Sequence, residues 1–316
     1  MESFSEIINN QICNKNFLFK EIKQIDGGFT ICIKNNSIHN IIDGYGFVHP
    51  IRKKQYIQLL KNVLDKYNLK DINININLSD HPKEGVFNFC RIKNNNKCFL
   101  LPDFRFTLED TKLDDNIDNK DLNNFDDTVK YLQSLHSKYN YKNKKSKFYM
   151  DGLEGAGKRI PYYIYALNNK DKCDGNLYGG TVHGYGRTPV NLIPILEKNN
   201  LASKIYKNFC EHFNYKYIMY YDGNTLSNRT KLLLNVNSVI IMKNTPYEEF
   251  YSYKLKNNIN YILFNNESEL TNIFNYLESN EKLCNNIIQN NKNFVNNILT
   301  YNNILEYTFY LLNNLL

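Results

Sequence analysis

The second half of the sequence constrains the fold most, because apolar runs alternate there with amphipathic segments. Residues 215–221 and 238–242 are rich in β-branched and aromatic side chains, which predicts two buried strands. Residues 226–236 lie between them with helical spacing. Amphipathic helices are also predicted at about 270–277, 280–298 and 302–315. Strands that alternate with helices indicate parallel α/β layers.

The first half is patterned less regularly. Residues 51–67 predict a helix, and residues 71–78, where Ile and Leu alternate with Asn, predict a strand with one buried face. The Lys- and Asn-rich residues 138–147 are typical of a solvated linker. Because 316 residues exceed what one hydrophobic core usually covers, we expect two lobes.

Charge and cysteine content narrow the function classes. The net charge of +7 is modest and spread along the chain, which suits a phosphorylated small molecule better than a nucleic acid. The seven cysteines include no CxxC pair, so neither a zinc site nor a disulfide framework is expected. No run of about 18 apolar residues predicts a membrane span, and the N-terminus lacks the apolar core of a signal peptide. We therefore expect a cytoplasmic protein without a metal site.

A glycine-rich segment at residues 152–159 nearly matches a P-loop. Gly152, Gly157 and Lys158 are in register, and such glycines let backbone N–H groups face a phosphate. Arg159, however, stands where a P-loop has the Ser or Thr that holds magnesium. The segment can be read as a phosphate-facing loop without magnesium, as a true P-loop of a kinase or hydrolase, or as a simple turn.

The corner after residues 215–221 is the second candidate site. Gly223, Asn224 and Thr225 follow the strand end, where ligands of open α/β sheets bind. Ser227 and Arg229 follow in the predicted first turns of a helix, whose N-terminus favours anions, and an arginine there can donate two parallel hydrogen bonds to a pyrophosphate. The alternative is an ordinary strand-to-helix turn with a surface arginine.

Carboxylates supply the remaining candidates. Asp80 follows the Ile-Asn strand and is a candidate general base, with His81 as competitor and a turn-forming role as alternative. Glu249 follows the strand at 238–242 and could accept ribose hydroxyl protons, or begin a helix. A second glycine-rich segment, residues 178–186, has no assignable role and favours a surface loop.

The order of these segments resembles glycosyltransferase family 90, which includes protein O-glucosyltransferases and capsule xylosyltransferases of the CAP10 type. Residues 212–263 look like the family's strand, Gly turn, Ser-x-Arg helix, strand and Glu-Phe-Tyr block. Residues 268–295 are similar to its two-helix tail. Farther upstream, "FYMDGLEGAGKR" and "ININLSDHPKEGVFNF" lie where the family has a Gly turn ending in Arg and a strand ending in Asp-aromatic-Pro.

The resemblance implies an α/β GT-B fold with two Rossmann-like lobes and a C-terminal helix that crosses back to the first lobe. It places an acceptor-side lobe at residues 1–140, a donor lobe at 145–285, and returning helices at 286–316. It implies an inverting transfer, without a metal or other cofactor, of glucose or xylose from a UDP-sugar to a protein or glycan acceptor. The family pattern assigns the catalytic base to Asp80. Its donor-binding positions fall on Gly152, Lys158, Arg159, Gly223, Asn224, Thr225, Ser227, Arg229 and Glu249.

Three positions depart from the family pattern: Asp151, Glu154 and Asp222, the last of which replaces an arginine at a place where many relatives have Asp-Gly. Asp151 and Glu154 stand where the protein O-glucosyltransferases carry arginines, so Lys158 and Arg159 are left to supply positive charge in that turn. The rival predictions are therefore a nucleotide-dependent kinase or hydrolase built on residues 152–159, and a degenerate, non-catalytic sugar-binding module.

Overall fold

Two β-sheets organise the protein. The computed structural model describes residues 25–103, 106, 122, 124–154, 156–179, 186–205, 207–227 and 229–314. The first lobe contains β1 (Gly28–Lys34), β2 (Ser37–Asp43), α1 (Pro50–Lys66), β3 (Ile72–Asn77), β4 (Phe87–Asn88), β5 (Arg91–Ile92), β6 (Phe99–Leu100) and α2 (Phe125–Ser134). Its sheet has the order β2-β1-β3-β4-β6, in which β3, β4 and β6 are parallel and β1 is antiparallel to both of its neighbours.

The rest of the chain builds the second lobe and the closing helices. In chain order these elements are β7 (Lys145–Gly152), α3 (Ile160–Asn168), β8 (Cys173–Tyr178), α4 (Ile193–Lys198), β9 (Ala202–Ser203), β10 (Tyr215–Tyr220), α5 (Thr230–Leu233), β11 (Val239–Lys243), β12 (Tyr247–Glu248), β13 (Ile262–Phe264), α6 (Leu270–Glu278), α7 (Glu281–Ile298) and α8 (Tyr301–Asn314). The Asn-Glu-Ser-Glu pattern at residues 266–269 predicts a helix cap, and a capping box formed by Asn266 and Glu269 indeed begins the helical tail.

The second sheet is parallel throughout and has the order β9-β8-β7-β10-β11-β13. Numbered by their place in this lobe, the strands run 3-2-1-4-5-6, the order of doubly wound nucleotide-binding sheets. Strand order reverses between β7 and β10, and a crevice opens at the carboxyl ends of strands at such a point. Gly152 and Gly223 therefore come to the same edge of the sheet.

Both faces of this sheet are buried. Along β10, Tyr217 and Met219 pack into a core beneath α6 and the start of α7, whereas Ile218 and Tyr220 pack into a core that is continuous with that of the first lobe. A short antiparallel pairing of β5 with β12 also joins the lobes, and Arg91 is paired there with Glu248 at 2.7 Å. The two lobes are thus firmly connected on one side of the crevice.

The last helix returns to the first lobe. In α8, the Phe309 ring stacks on that of Tyr67 with centroids 4.6 Å apart, and the Tyr307 hydroxyl donates to the Leu100 carbonyl at 2.7 Å. Two α/β lobes and a returning C-terminal helix form the GT-B architecture that the sequence predicts. The first lobe includes an antiparallel hairpin, β1–β2, at the edge of its sheet.

Several local predictions are corrected. The β3 strand is buried on both faces, since Asn75 accepts a hydrogen bond from Thr30 at 2.7 Å and Asn77 donates to Asn88 at 2.8 Å. Strand β8 was missed because Asp174, Gly175 and Asn176 interrupt its apolar pattern. The predicted helix at 226–236 is a single turn, α5.

The prediction of a solvated linker at residues 138–147 is also wrong at residue 144. Lys144 is buried and its ammonium donates to the Val236 carbonyl at 2.6 Å and to the Ser238 hydroxyl at 2.8 Å. Burial lowers the pKa of this lysine to about 7. Although Lys144 lies in a run of lysines that is typical of a linker, it connects the start of β7 to the segment before β11.

Three predictions lie wholly or largely outside the described residues. They are those for residues 1–24, which include Cys13, the surface loop that the acidic and Asn-rich residues 109–127 predict, and the centre of the second glycine-rich segment, residues 180–185. Over the part of the chain that is described, none of the helices combines the length and the apolar character needed to cross a membrane.

Candidate active site at the crevice between the lobes

The carboxyl end of β7 holds an ion cluster. The Arg229 guanidinium donates through Nη1 to both the Asp151 carbonyl, at 2.9 Å, and Asp151 Oδ1, at 2.7 Å. His212 Nε2 lies 3.3 Å from the same carboxylate oxygen. Burial by itself raises the pKa of Asp151, but the charges of Arg229 and His212 outweigh it and hold the pKa well below its usual range. The ionised Asp151 thereby fixes Arg229 at the edge of the sheet.

A second guanidinium converges on the same point. A Cβ built on Gly152 would lie 2.7 Å from Arg159 Nη1 and 3.6 Å from Arg229 Nη1. With a φ of +141°, residue 152 also has a backbone conformation that side-chain-bearing residues rarely adopt. Arg159 Nη2 lies 3.8 Å from the corresponding point on Gly223. Glycine at residue 152 thus admits the two guanidiniums to the place where strand order reverses, whereas a Cβ on residue 223 would be in ordinary van der Waals contact with Arg159.

The electrostatics of this pair favour an anion. Burial lowers the pKa of Arg159, and the neighbouring positive charge of Arg229 lowers it further. Lys158 lies close by, and its ammonium donates to the Asn224 carbonyl at 2.9 Å and stands 5.2 Å above the Tyr247 ring. A bound anion would reduce the electrostatic repulsion among the two guanidiniums and the ammonium. Parallel N–H donors of a guanidinium also match the geometry of phosphate oxygens.

Asp222 is the second carboxylate on this side of the crevice. Its Oδ2 accepts a hydrogen bond from the Thr245 hydroxyl at 2.7 Å, while Oδ1 is buried and has no hydrogen-bond partner among the described residues. Burial raises the pKa of Asp222, although Thr245 and the charges of Lys158 and Arg159 oppose that shift. A buried carboxylate oxygen without a donor is the kind of group that a ligand hydroxyl or a water satisfies.

The interior of the cluster is small. A cavity of about 10 Å³ is lined by Met150, Asp151, Arg159, His212, Met219, Tyr220, Tyr221, Ser227, Arg229 and Leu233. That volume suffices for about one water. A larger anion therefore has to bind at the mouth of the crevice, over the guanidiniums, and not beneath them.

Asp80 faces this corner from the first lobe. It follows β3, and its Oδ2 accepts a hydrogen bond from Asn224 Nδ2 at 2.9 Å. Its backbone carbonyl accepts another from the Thr225 hydroxyl at 2.8 Å. These two bonds cross the crevice and place the Asp80 carboxylate beside the loop that carries Gly223. About a third of the side chain is exposed, which leaves it accessible from the crevice.

Arg52 is a member of this site that the sequence did not reveal. From the first turns of α1 it donates through Nη1 to the Leu78 carbonyl at 2.6 Å, and its Nη2 lies 2.8 Å from Asp80 Oδ1. Burial by itself raises the pKa of Asp80, but the Asn224 hydrogen bond and the Arg52 charge outweigh it, so the net pKa is lowered. The carboxylate is consequently ionised and able to accept a proton at neutral pH.

Glu249 belongs to a different cluster. It is buried beside the Lys231–Asp103 ion pair, both of whose side chains are inaccessible to solvent, and its backbone N–H donates to the Ser252 hydroxyl at 2.9 Å. Burial raises the pKa of Glu249 to about 7, the Lys231 charge opposes that shift and Asp103 adds to it. Its neighbour Glu248 pairs with Arg91 instead.

Comparison with protein-family models identifies the family of this chain. A family model described as "Glycosyl transferase family 90" matches residues 18–315. The chain belongs to glycosyl transferase family 90. Among curated protein sequences, none matches.

The solved structures that resemble this chain do so with low sequence identity and low TM-scores. A structure of Anabaena HepE in complex with UDP-glucose shares 10% identity and a TM-score of 0.41, over 55% of this chain and 50% of HepE. TarM from S. aureus shares 15% identity and a TM-score of 0.40, over 54% of this chain and 36% of TarM. The C-terminal domain of LpcC from Francisella tularensis shares 11% identity and a TM-score of 0.36, over 52% and 90%. The match thus spans about half of the HepE chain.

In this family 90 member, most of the predicted site residues meet at one place. Gly152, Lys158, Arg159, Gly223 and Arg229 surround the strand ends, and Asn224 and Thr225 connect them to Asp80. Ser227 lines the small cavity, and its backbone carbonyl accepts from the Tyr220 hydroxyl at 3.1 Å. Glu249 stands apart, so its ribose-side role remains a prediction.

Two features of the site differ from the sequence expectation. The helix that follows Arg229 has only four residues, so charge at this corner comes from the guanidiniums and not from a helix dipole. His212, which the sequence did not single out, donates through Nδ1 to the Phe209 carbonyl at 2.7 Å, and its Nε2 lies 3.3 Å from the Asp151 carboxylate. Over the described part of the chain, no group of three or more His, Cys, Asp or Glu residues could hold a metal ion.

Proposed function

We propose that this family 90 member is an inverting glycosyltransferase that needs no metal and moves a sugar, glucose or xylose, from a UDP-sugar to a hydroxyl of a protein or glycan acceptor. The observation that carries the proposal is the convergence of Arg159 and Arg229 on Gly152, at the strand-order reversal, with Asp80 facing them across the crevice. A cationic corner for a diphosphate and a carboxylate for the acceptor are the two groups that such a transfer requires. A cytoplasmic location remains part of the proposal.

The reaction follows from these positions. Asp80 accepts the proton of the acceptor hydroxyl while the hydroxyl oxygen forms a bond to the anomeric carbon. The bond from that carbon to the diphosphate oxygen breaks, and its electron pair leaves with UDP. In such a transfer the base and the leaving group act from opposite faces of the sugar, so a single displacement inverts the anomeric configuration.

Positive charge at the corner supports the departure of UDP. The diphosphate gains negative charge as the bond breaks, and fixed cationic donors stabilise that charge without reorganising. Arg159 and Arg229 are held in advance by the Leu153 carbonyl and by Asp151, respectively. This preorganisation is why metal independence is part of the proposal, with Lys158 as a third cation.

Asp80 has to be released in part before it acts. Both of its oxygens are engaged, Oδ1 by Arg52 and Oδ2 by Asn224. We expect the acceptor hydroxyl to take the place of the Asn224 amide, since Asn224 lies on the loop that a bound diphosphate would contact. Arg52 then remains to keep the carboxylate ionised until proton transfer.

The kinase or hydrolase alternative has less support. In a P-loop the backbone N–H groups of the glycine-rich turn bind phosphate. Here the Glu154 carboxylate accepts the Gly157 N–H, and Arg159 extends to the strand edge instead of a magnesium-binding hydroxyl. A carboxylate inside the loop repels the phosphates that a P-loop binds.

Calorimetry and turnover together test the proposal. UDP, UDP-glucose and UDP-xylose are titrated with and without EDTA, and UDP release is then followed with and without added hydroxyl acceptors. We expect UDP binding and turnover that EDTA leaves unchanged. Magnesium-dependent ATP hydrolysis without a sugar nucleotide would support the P-loop alternative, and sugar-nucleotide binding with no turnover would support the degenerate module.

A further inference from the structure

The edge of the first sheet beside Asp80 carries two exposed aromatic rings. Tyr45 and Phe47 lie in the loop from β2 to α1, and 62% and 76% of their surfaces, respectively, are accessible to solvent. A single exposed aromatic residue is ordinary, but two that share one rigid loop next to a site carboxylate form a candidate binding surface. We name Tyr45 and Phe47 the aromatic platform.

Sheet topology places the platform near the proposed base. Gly28 pairs with Asn77 and Phe29 with Asp43, so β1 begins where β2 and β3 end. The loops that leave this edge therefore meet. The point where a Cβ of Gly27 would lie is 3.7 Å from the Phe47 carbonyl oxygen and 3.7 Å from Ser79 Cβ, and Ser79 immediately precedes Asp80.

The loop itself is firmly held. The Gly27 N–H donates to the Tyr45 carbonyl at 2.7 Å, and the Gly44 N–H donates to the Gly28 carbonyl at 3.0 Å. Gly46 has a φ of +68°, and a Cβ there would lie 2.5 Å from Asp26 Oδ1. A backbone held by two hydrogen bonds, with glycine required at its turn, presents the two rings outwards with little conformational freedom left to lose on binding.

The groups around the rings are polar and of both signs. Lys83 lies 3.5 Å from Asp26 Oδ2 and also donates to the Asp26 carbonyl, while Lys53 pairs with Asp43 at 2.6 Å. The Asp26 side chain is 77% exposed, so its carboxylate remains available as an acceptor. Aromatic faces next to paired charges suit a neutral ligand that is apolar on one side and rich in hydroxyls at its rim.

We propose, on the basis of the proposed function, that Tyr45 and Phe47 form the acceptor subsite and that the acceptor bound there is a saccharide. The C–H face of a pyranose carries slight positive charge and stacks on the negative face of an aromatic ring. Its rim hydroxyls can donate to Asp26 and accept from Lys83. A sugar that stacks on the platform presents a hydroxyl along the edge that leads to Asp80.

Binding of saccharides tests the platform without any donor. Saturation-transfer NMR is recorded with a panel of free sugars: methyl glucosides, methyl mannosides, maltose and xylobiose. We expect signal transfer to ring C–H protons in the wild type, and its loss in a Tyr45→Ala/Phe47→Ala variant. The control is Tyr276→Ala, an aromatic residue on α6 that is 51% exposed and lies in the other lobe.

Turnover supplies the second measurement. Each platform variant is expected to raise the acceptor KM about three- to tenfold, and Phe47→Tyr to restore it. UDP affinity and the hydrolysis of UDP-sugar by water should stay at wild-type values. An unchanged acceptor KM in the double variant overturns the platform, and transfer to polypeptides with no binding of any free saccharide overturns the saccharide assignment. Failure of UDP itself to bind contradicts the proposed function instead, while the NMR result still tests the platform.

Discussion

Arg229 provides the sharpest test of the cationic corner, because two roles meet in one side chain. It donates to the Asp151 carboxylate, which is almost wholly buried, and it stands beside Arg159 at the predicted diphosphate position. Removal of one electrostatic donor from such a site costs about 2.7–4 kcal/mol, or about 10²- to 10³-fold in kcat. We expect Arg229→Ala to lower turnover by that factor and to weaken UDP binding.

The same substitution leaves a buried charge behind. Breaking a buried ion pair by removing one partner costs about 3–5 kcal/mol of unfolding free energy. We expect a value near the lower end, because His212 still lies 3.3 Å from the Asp151 carboxylate.

A double-mutant cycle separates the two roles. In Asp151→Asn/Arg229→Ala the buried charge is gone, and stability measured by urea unfolding should recover most of the loss. Turnover, followed as UDP release, should not recover. The single variant Asp151→Asn serves as the matched control, since its amide oxygen still accepts from Arg229 and should leave UDP affinity intact. Wild-type turnover in the double variant would refute the role of Arg229 in leaving-group stabilisation.

Four further predictions concern the neighbouring groups. Asp80→Asn should abolish transfer while UDP still binds with unchanged affinity in calorimetry; residual wild-type turnover would remove Asp80 as base. Arg52→Gln removes the cation that lowers the pKa of Asp80, so the acid limb of the kcat/KM profile should move to higher pH, and an unmoved limb would contradict this. Gly152→Ala should displace Arg159 and reduce UDP affinity at least about tenfold, because a Cβ there would lie 2.7 Å from Arg159 Nη1; wild-type UDP affinity in the folded variant would contradict this. Because burial raises the pKa of Glu249 to about 7 from 4.5, the folded state keeps a proton that the unfolded chain loses, and stability falls as pH rises through that window. Between about pH 5 and about pH 8, this proton should lower the free energy of unfolding of the wild type by roughly 3 kcal/mol, and Glu249→Gln should abolish that decrease. Urea unfolding measures it, and an equal decrease in the wild type and the variant would contradict the prediction.

Local patterns in the sequence predicted the strands and helices in which apolar residues recur at a regular spacing. The apolar runs of β10 and β11, the helical spacing of α1 and α6, and the Asn266 capping box all appear where they were predicted. The glycines that end β7 and follow β10 were recognisable for the same reason. Each of these signals arises from burial or backbone geometry within about a dozen neighbouring residues.

Side-chain partnerships between distant segments were decided by the tertiary structure. Strand order brings β7 beside β10, and only this places Arg159 and Arg229 at one point and gives Asp151 its neighbours Arg229 and His212. Arg52 reaches Asp80 because α1 packs into the core of the first lobe with β1 and β3. Lys144 reads as linker in the sequence and is buried in the fold.

The sequence by itself therefore determined which segments form strands and helices and which strand ends could bind a ligand. The tertiary structure alone decided which charges meet, how strongly their pKa values shift, and which exposed rings lie near the base. The physical reason is range: periodicity and backbone preference act between neighbours in the chain, whereas burial and Coulomb interactions depend on where the folded chain brings distant residues together.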